Sequence, residues 1–136
     1  MKISIVTAYH NRKQLFYNTL KSISKSSIKD IEVVVVDDGS NEEHRLEDLT
    51  QEFPYLKIIR LEKKDKWYVN PCIPYNIGFK YATGDIIIIQ NPECYHVGNI
   101  MKYTLESDLD QLLLSLHNRV EIFIVTVHNL FHVALK

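Results

Sequence analysis

Three polar segments, each directly after a hydrophobic run, carry the residue types best suited to chemistry. They are residues 7–11 (TAYHN), 37–43 (DDGSNEE) and 90–96 (QNPECYH). Carboxylate and amide oxygens of this kind can accept hydrogen bonds from a ligand or hold a hard cation. The chemistry of these segments therefore depends on whether the chain brings the ends of the hydrophobic runs together.

Asp37 and Asp38 form an adjacent acidic pair after a run of four valines. Two neighbouring carboxylates repel each other unless other groups satisfy them. A ligand rich in donors, such as a base N–H or a ribose hydroxyl, would do so. The alternative is a strand-to-helix turn in which the acids stabilise the positive end of the next helix. Both interpretations are open on the residues alone.

Glu93 follows another hydrophobic run and offers a hard oxygen ligand for Mg²⁺ or Mn²⁺. An ordinary Asn-Pro turn at residues 91–92 is the more common reason for such a segment. His10 and His96 also lie in these polar segments, where an imidazole can contact a ligand or a phosphate.

A short basic and aromatic segment, residues 63–68, contains three lysines followed by Trp67 and Tyr68. Such segments can bind nucleic acid. The whole chain, however, has a net charge of -1, so it has no overall field for a polyanion. We therefore expect no nucleic-acid partner, and we interpret the segment as a solvated charged loop beside a packed Trp67. The alternative is that the same residues lean over a nucleotide or face a sugar.

Hydrophobic patterning gives the elements that must position these residues. Strands are predicted at residues 3–7, 31–36, 57–61, 85–90 and 120–127, and helices around 15–23, 73–82, 99–105 and 109–116. Ser40 and Glu43 have the spacing of a capping box, which predicts a further helix ending before Pro54. The alternation predicts an α/β fold with a mainly parallel sheet, in which ligands bind at the carboxyl ends of the strands.

Length and composition predict one domain over residues 1–136. The longest apolar run, Ile86–Ile89, is too short to cross a bilayer, and the two widely separated cysteines match no CxxC motif. We therefore expect a cytoplasmic protein without a transmembrane segment. Residues 117–136 contain only three charged residues, so this tail is expected to be buried as a last strand or in a homodimer.

The chain resembles the donor-binding half of family 2 glycosyltransferases, which have the GT-A fold. The matching stretches are residues 4–12 (SIVTAYHNR), 32–43 (EVVVVDDGSNEE) and 76–93 (NIGFKYATGDIIIIQNPE), in the order and spacing of the family. The resemblance covers residues 1–100 and is lost in the tail, 101–136. It implies a Rossmann-like, three-layer α/β/α sandwich that binds a nucleotide-diphospho-sugar, either UDP- or GDP-linked.

The resemblance also implies roles for individual residues. The nucleotide-sugar would be bound by Thr7, Ala8, Tyr9, Asn11, Arg12, Asp37, Asp38, Asn76, Gln90 and Asn91. The family's metal-binding DxD motif aligns with residues 91–93, where Asn and Glu replace the two acids. Glu93 would then hold Mn²⁺ or Mg²⁺ with help from Asn91. Tyr75 stands where the family often has a basic residue.

Three functions follow as hypotheses. The first is transfer of the sugar, with inversion, to a hydroxyl of an unknown glycan, lipid or protein acceptor; the general base of that reaction lies further downstream in the family. The second is a truncated module that binds nucleotide-sugar without transferring it. The third is a signalling receiver domain, which also has an acidic pair at a strand end, but after its first strand rather than its second.

Overall fold

The computed structural model describes residues 1–106 and the backbone of residues 122–126. It contains five strands: β1 (Ile3–Tyr9), β2 (Ile31–Asp38), β3 (Leu56–Leu61), β4 (Ile86–Gln90) and β5 (Ile122–Thr126). Three α-helices accompany them: α1 (Lys13–Ser24), α2 (Cys72–Tyr81) and α3 (Ile100–Glu106). Short 3₁₀ helices cover Glu42–His44, Glu47–Thr50 and Lys63–Asp65.

The strands form one sheet in the order β3-β2-β1-β4-β5. The first four are parallel, and β5 pairs antiparallel to β4 at the edge. Tyr9 at the end of β1 lies opposite Asp37 near the end of β2. The polar segments that follow β1, β2 and β4 therefore emerge along one edge of the sheet, which we call the carboxyl edge.

Apolar side chains pack on both faces of the sheet because successive strand residues point to opposite sides. On one face, the larger core contains Ile5, Val33 and Ile88 from the strands, Phe16 and Leu20 from α1, and Met101 from α3. On the other face, Val6, Val34 and Ile87 pack against Tyr75 and Phe79 of α2. The predicted three-layer α/β/α arrangement with a mainly parallel sheet is confirmed.

α2 approaches the sheet closely at Gly78. A methyl group at this position would lie 2.5 Å from Cγ1 of Val6, which is far inside van der Waals contact. The absence of a side chain therefore allows the helix to pack directly on β1 and β2. This packing holds the first turns of α2 against the carboxyl edge.

The helix predicted from the capping box at Ser40 is wrong. The chain there forms two separate 3₁₀ turns, Glu42–His44 and Glu47–Thr50. Asn41, not Ser40, precedes the first of these turns, and the Ser40 hydroxyl instead accepts a hydrogen bond from the backbone N–H of Asn11 at 3.0 Å. In addition, β1 and β2 each extend two residues beyond their predicted ends, so Tyr9 and Asp38 are strand residues.

The predicted last strand is present as β5. The predicted helix at residues 109–116 lies outside the described residues, as does most of the tail proposed for a homodimer. The single-domain assignment over 1–136 includes those residues and stays a prediction. Within the described part of the chain, no helix combines the length and apolar character needed to span a membrane.

Candidate functional site

A cleft of about 640 Å³ opens at the carboxyl edge, between the ends of β1, β2 and β4 and the start of α2. It is lined by Ala8, Tyr9, His10, Asn11, Arg12, Asp38, Pro71, Pro74, Tyr75, Asn91, Pro92 and Glu93. All three polar segments contribute to this lining. The cleft therefore joins the residues that the sequence places at separate strand ends.

The two adjacent acids have different surroundings because neighbouring strand residues face opposite ways. Asp37 is fully buried, pairs with Arg60 at 2.8 Å and accepts a hydrogen bond from the backbone N–H of Ser40 at 2.9 Å. Asp38 lines the cleft and retains 16% side-chain exposure. Asp37 thus holds the turn in place, while Asp38 is the acid that a ligand can reach.

Asp38 is held by two side chains from the loop after β3. Lys66 contributes an ion pair from its Nζ to Oδ2 at 2.6 Å, and the Tyr68 hydroxyl donates to Oδ1 at 2.8 Å. Burial raises the pKa of Tyr68 to about 12, and the hydrogen bond to Asp38 adds to the effect. Tyr68 therefore stays protonated and a donor, and the Asp38 carboxylate keeps further lone pairs for a ligand.

Trp67, between these two residues, does not pack into the protein. Its side chain is 83% exposed and meets the Tyr68 ring edge-on, with the ring centroids 5.6 Å apart. The expectation of a packed Trp67 is wrong. The backbone is extended at Lys66, so neighbouring side chains point in opposite directions. Lys66 and Tyr68 point toward Asp38, and Trp67 between them points into solvent.

The loop between β1 and α1 is braced by hydrogen bonds that shape its wall of the cleft. The Tyr9 hydroxyl donates to the His44 carbonyl at 2.7 Å and accepts from the backbone N–H of Arg12 at 3.2 Å. Asn11 has a φ of 50°, a left-handed conformation that asparagine tolerates better than most residues. Its side-chain oxygen accepts from the backbone N–H of Asn41 at 2.9 Å, which ties this loop to the one after β2.

Glu93 stands on the β4 side of the cleft and pairs with Arg12 on the β1 side. Nη1 of Arg12 lies 2.5 Å from Oε1 of Glu93, and the two side chains are 51% and 37% exposed. Nearby, the Tyr75 hydroxyl is 3.3 Å from both the Gln90 carbonyl and Oδ1 of Asn91. The Arg12–Glu93 pair is the feature that joins the two walls.

The cleft offers few protein oxygen atoms as ligands for a divalent cation. Within residues 1–106 and 122–126, no three His, Cys, Asp or Glu side chains cluster as ligands for a metal ion. Mg²⁺ commonly binds through one or two carboxylates together with substrate phosphates and waters. Glu93, with the neutral amide oxygen of Asn91, meets that requirement once a diphosphate is present.

Of the predicted site residues, seven line the cleft: Ala8, Tyr9, Asn11, Arg12, Asp38, Asn91 and Glu93. The other four do not. Asp37 is buried as described, and Asn76 is exposed on α2. Thr7 is buried, and its hydroxyl has no hydrogen-bond partner among the described residues.

Gln90 is buried beneath the cleft, and its Oε1 accepts a hydrogen bond from Nε2 of His96 at 2.7 Å. Burial lowers the pKa of His96 to about 4, so the ring is neutral near pH 7. Gln90 is thus engaged in holding the loop after β4. The roles of these eleven residues in binding stay predictions.

Sequence reasoning named the loop that contains Lys66 and Tyr68 but did not predict that it contacts Asp38. Lys66 and Tyr68 reach Asp38 across 28 and 30 residues of sequence, and no local pattern indicates such a contact. Tyr75 is more accessible to reasoning, because helical spacing places it on the same face of α2 as Phe79, which packs on the sheet.

Four parallel strands, helices on both faces and a polar cleft at the carboxyl edge define the class of α/β protein that binds ligands at its strand ends. Residues 4–97 match the sequence profile of glycosyl transferase family 2. The chain belongs to that family.

Two kinds of relatives agree with this assignment. The uncharacterized glycosyltransferase YwdF of Bacillus subtilis is 31% identical over 107 residues, covering 78% of this chain. A solved structure of S. aureus TarS, residues 1–349, in complex with UDP is 26% identical, with a TM-score of 0.64 over 77% of this chain. The chain spans only 38% of the length of YwdF and 31% of the TarS chain.

A more distant structure supports the fold alone. The mannosyltransferase PcManGT of Pyrobaculum calidifontis, solved with GDP-Man and Mn²⁺, is 20% identical, with a TM-score of 0.62 over 79% of this chain. The shared architecture is the GT-A fold of glycosyltransferases.

Proposed function

We propose that this chain binds a nucleotide-diphospho-sugar in the carboxyl-edge cleft and takes part in transfer of the sugar to an acceptor hydroxyl. The observation that carries the proposal is the placement of Asp38 and Glu93 in one cleft, on opposite walls, in a chain of this family. Asp38 is an ionised acceptor suited to a base N–H or a ribose hydroxyl. Glu93 is suited to the diphosphate end of the ligand, through a cation.

The charges of the cleft favour a divalent cation in this role. Arg12 and Lys66 contribute two positive charges, while Asp38 and Glu93 contribute two negative charges and are paired with them. A diphosphate entering this balanced site brings negative charge that these four side chains together do not offset. Mn²⁺ or Mg²⁺ on Glu93 and Asn91 would supply the missing charge and act as a Lewis acid toward the departing diphosphate.

Transfer with inversion also requires a general base that takes the proton of the acceptor hydroxyl. Among the residues described, the carboxylates that line the cleft are Asp38 and Glu93, and both are committed to the donor in this proposal. This observation favours a second candidate function, which is binding of the nucleotide-sugar without transfer. The acceptor, whether glycan, lipid or protein, would be held by residues other than these.

Thermal unfolding with added nucleotides tests the proposal. UDP, GDP and their sugar conjugates should be tried with and without Mn²⁺, because TarS and PcManGT were solved with ligands of these two kinds. A ligand at tens of its dissociation constant should stabilise the protein by about 2 kcal/mol. If no nucleotide raises the melting temperature with Mn²⁺ present, both candidate functions are wrong.

Variants assign the effect to the cleft. Asp38→Ala should abolish the shift, and Glu93→Ala should remove its dependence on Mn²⁺. Arg45→Ala is the control, because Arg45 pairs weakly with Glu42 at 3.9 Å and does not line the cleft. Release of free UDP or GDP from a nucleotide-sugar, with and without candidate acceptors, separates transfer from binding alone.

Two further predictions from the sequence extend this proposal. We infer a cytoplasmic location, where nucleotide-sugars would reach the cleft directly. We also infer that the apolar tail, of which the structure describes only β5, is suited to a homodimer. Sedimentation at micromolar concentration tests the second of these, and a monomer would contradict it.

A further inference from the structure

The Arg12–Glu93 ion pair spans the cleft that the proposed donor must enter. Arg12 lies on the loop after β1, and Glu93 lies on the loop after β4. Their charged atoms are 2.5 Å apart, and both side chains are more than one-third exposed. Ion pairs with this exposure are weak because solvent screens their charges, so a ligand can replace either partner at low cost.

Each partner is the group that one part of the ligand requires. Glu93 is the carboxylate of the cleft placed to bind a cation at the diphosphate end, and Arg12 now occupies its Oε1. The Arg12 guanidinium has the planar fork of donors that suits phosphate oxygens, and Glu93 now neutralises it. While the pair is closed, neither the cation nor the diphosphate has its full binding site.

Other side chains in or near the cleft are already engaged, as is His10, whose Nδ1 lies 3.0 Å from the Asp38 carbonyl and whose Nε2 lies 3.3 Å from the Asn11 amide. The second cation near the cleft, Lys66, is held on Asp38 at 2.6 Å. The Tyr75 hydroxyl is neutral and already within hydrogen-bond distance of the Gln90 carbonyl and the Asn91 side chain. Arg12 is therefore the positive side chain best placed to contact a diphosphate.

We propose that Arg12 and Glu93 form an exchangeable pair that couples binding of the cation to binding of the diphosphate. In the free protein, Arg12 covers the metal ligand. When the donor binds, Glu93 passes to the cation and Arg12 passes to the diphosphate oxygens, so each ligand releases the group that the other needs. Arg12 is then a binding and positioning residue. This inference rests on the proposed function, because it requires a diphosphate in the cleft.

The exchange predicts an effect that a simple metal site would not show. Glu93→Gln removes the metal ligand but releases Arg12, so UDP binding in EDTA should become tighter than in the unmodified protein. The gain should be about twofold to fivefold, which corresponds to the worth of an exposed ion pair. Because the gain comes from Arg12, it should disappear when Arg12→Ala is combined with Glu93→Gln.

Isothermal titration of the full chain with UDP in EDTA measures these affinities. The set comprises the unmodified protein, Glu93→Gln, Arg12→Ala and the double variant, with Arg12→Lys to separate charge from the guanidinium fork. Glu106→Gln is the matched control, since Glu106 pairs with Lys102 at 3.6 Å outside the cleft. A tighter Glu93→Gln variant whose gain depends on Arg12 supports the exchange.

Three results would overturn it. The first is a Glu93→Gln variant that binds UDP in EDTA no more tightly than the unmodified protein. The second is a gain that survives in the double variant, since loss of negative charge alone would then explain it. Either can occur while the unmodified protein still binds UDP with Mn²⁺, so the proposed function would stand. The third, failure of UDP to bind even with Mn²⁺, would end both.

A second measurement uses the cation alone. Mn²⁺ binding, followed by water-proton relaxation without nucleotide, should be about twofold to fivefold tighter in Arg12→Ala, because Glu93 no longer has a competing partner. Arg45→Ala serves as its control. Equal Mn²⁺ affinity in Arg12→Ala and the unmodified protein would contradict the exchange.

Discussion

The two ends of the parallel strands carry charged networks of opposite character. At the amino edge, where β1, β2 and β4 begin, Glu32 accepts hydrogen bonds from the Ser4 hydroxyl at 2.5 Å and from the backbone N–H of Thr83 at 2.6 Å. At the carboxyl edge, Asp38 and Glu93 are bound by the ends of long side chains.

The difference teaches which edge is available to a ligand. At the amino edge, a backbone N–H and short hydroxyls hold Oε1 of Glu32, Lys2 pairs with Oε2 at 3.0 Å, and the Glu32 side chain is only 12% exposed. The carboxyl edge uses flexible cations that can move, and its pairs line an open cleft. Substitutions at the amino edge should therefore cost stability, and substitutions of the carboxyl-edge side chains that line the cleft should cost binding.

The largest expected effect is the loss of stability in Gly84→Ala. A methyl group there would lie 2.6 Å from the backbone nitrogen of Ser4 and 2.9 Å from the Lys2 carbonyl, and neither backbone group can move without shifting β1. We expect a loss of about 3 kcal/mol in the free energy of unfolding, measured in urea.

Gly98→Ala is the matched control for that substitution. Gly98 has a φ of 77°, but no atom lies within 4 Å of the point that an added methyl group would occupy, so only backbone strain of about 1 kcal/mol applies. An equal loss of stability in the two variants would contradict the prediction that Gly84 is required because β1 lies too close for a side chain. The folded fraction of Gly84→Ala should still bind UDP.

The next largest expected effect is the dependence of stability on acid pH, which we attribute to Glu32. Burial alone would raise the pKa of Glu32, but the hydrogen bonds from Ser4, Thr83 and Lys2 outweigh it and lower the pKa to about 2. Because the folded pKa lies below the unfolded one, the stabilisation is present above about pH 5 and is lost as the pH falls toward 2.

Glu32→Gln should remove about 2 kcal/mol of stability at pH 7 and flatten the urea midpoint between about pH 5 and pH 2. His96 adds a second acid dependence at higher pH, because burial lowers its pKa to about 4 and stability is therefore lost as the pH falls from about 6.5 toward 4. An unchanged slope in the variant between pH 4 and pH 2 would rule out Glu32 as its source.

The same comparison explains which parts of the molecule the sequence could predict. Continuous valine and isoleucine runs predicted β2 and β4, because a parallel strand covered on both faces is apolar throughout, and shorter apolar patterns predicted β1 and β3. The family pattern in residues 76–85 was equally recognisable, but its residues hold α2 and the start of β4 against β1 and do not line the cleft. Gly78 packs on Val6, Gly84 abuts Ser4, and Asp85 accepts a hydrogen bond from the Lys2 backbone.

The cleft was predictable only where its residues directly follow a strand. Asp38, Arg12 and Glu93 lie in such segments, so the edge they share follows from the fold class. The ion-pair partners of these residues do not follow from the fold class, because Lys66 is 28 residues from Asp38 in the sequence and Arg12 is 81 residues from Glu93. The capping box at Ser40 misled for a related reason, since a distant backbone group from Asn11 took the hydroxyl.

The adjacent acids Asp37 and Asp38 allow a role in stability to be compared with a role in ligand binding at neighbouring positions. Asp37→Asn leaves Arg60 without its buried partner, and we expect a loss of about 2 kcal/mol of stability. Asp38→Asn should cost under about 1 kcal/mol of stability but weaken UDP binding about tenfold or more, because a charged acceptor becomes a neutral amide. Urea unfolding and calorimetry measure the two effects, and a reversed pattern would contradict the assignment of the two roles.

The smallest expected effect is that of Tyr68→Phe. Its hydroxyl donates to Oδ1 of Asp38 at 2.8 Å, and removing it leaves the carboxylate held by Lys66 alone, free to rotate. If Tyr68 positions Asp38 for the ligand, UDP affinity should fall about threefold, with a change in stability below about 1 kcal/mol. Tyr55→Phe is the control, because its hydroxyl bonds the Leu20 carbonyl at 2.8 Å, away from the cleft. A rise in UDP affinity in Tyr68→Phe would instead mean that the hydroxyl competes with the ligand for Asp38.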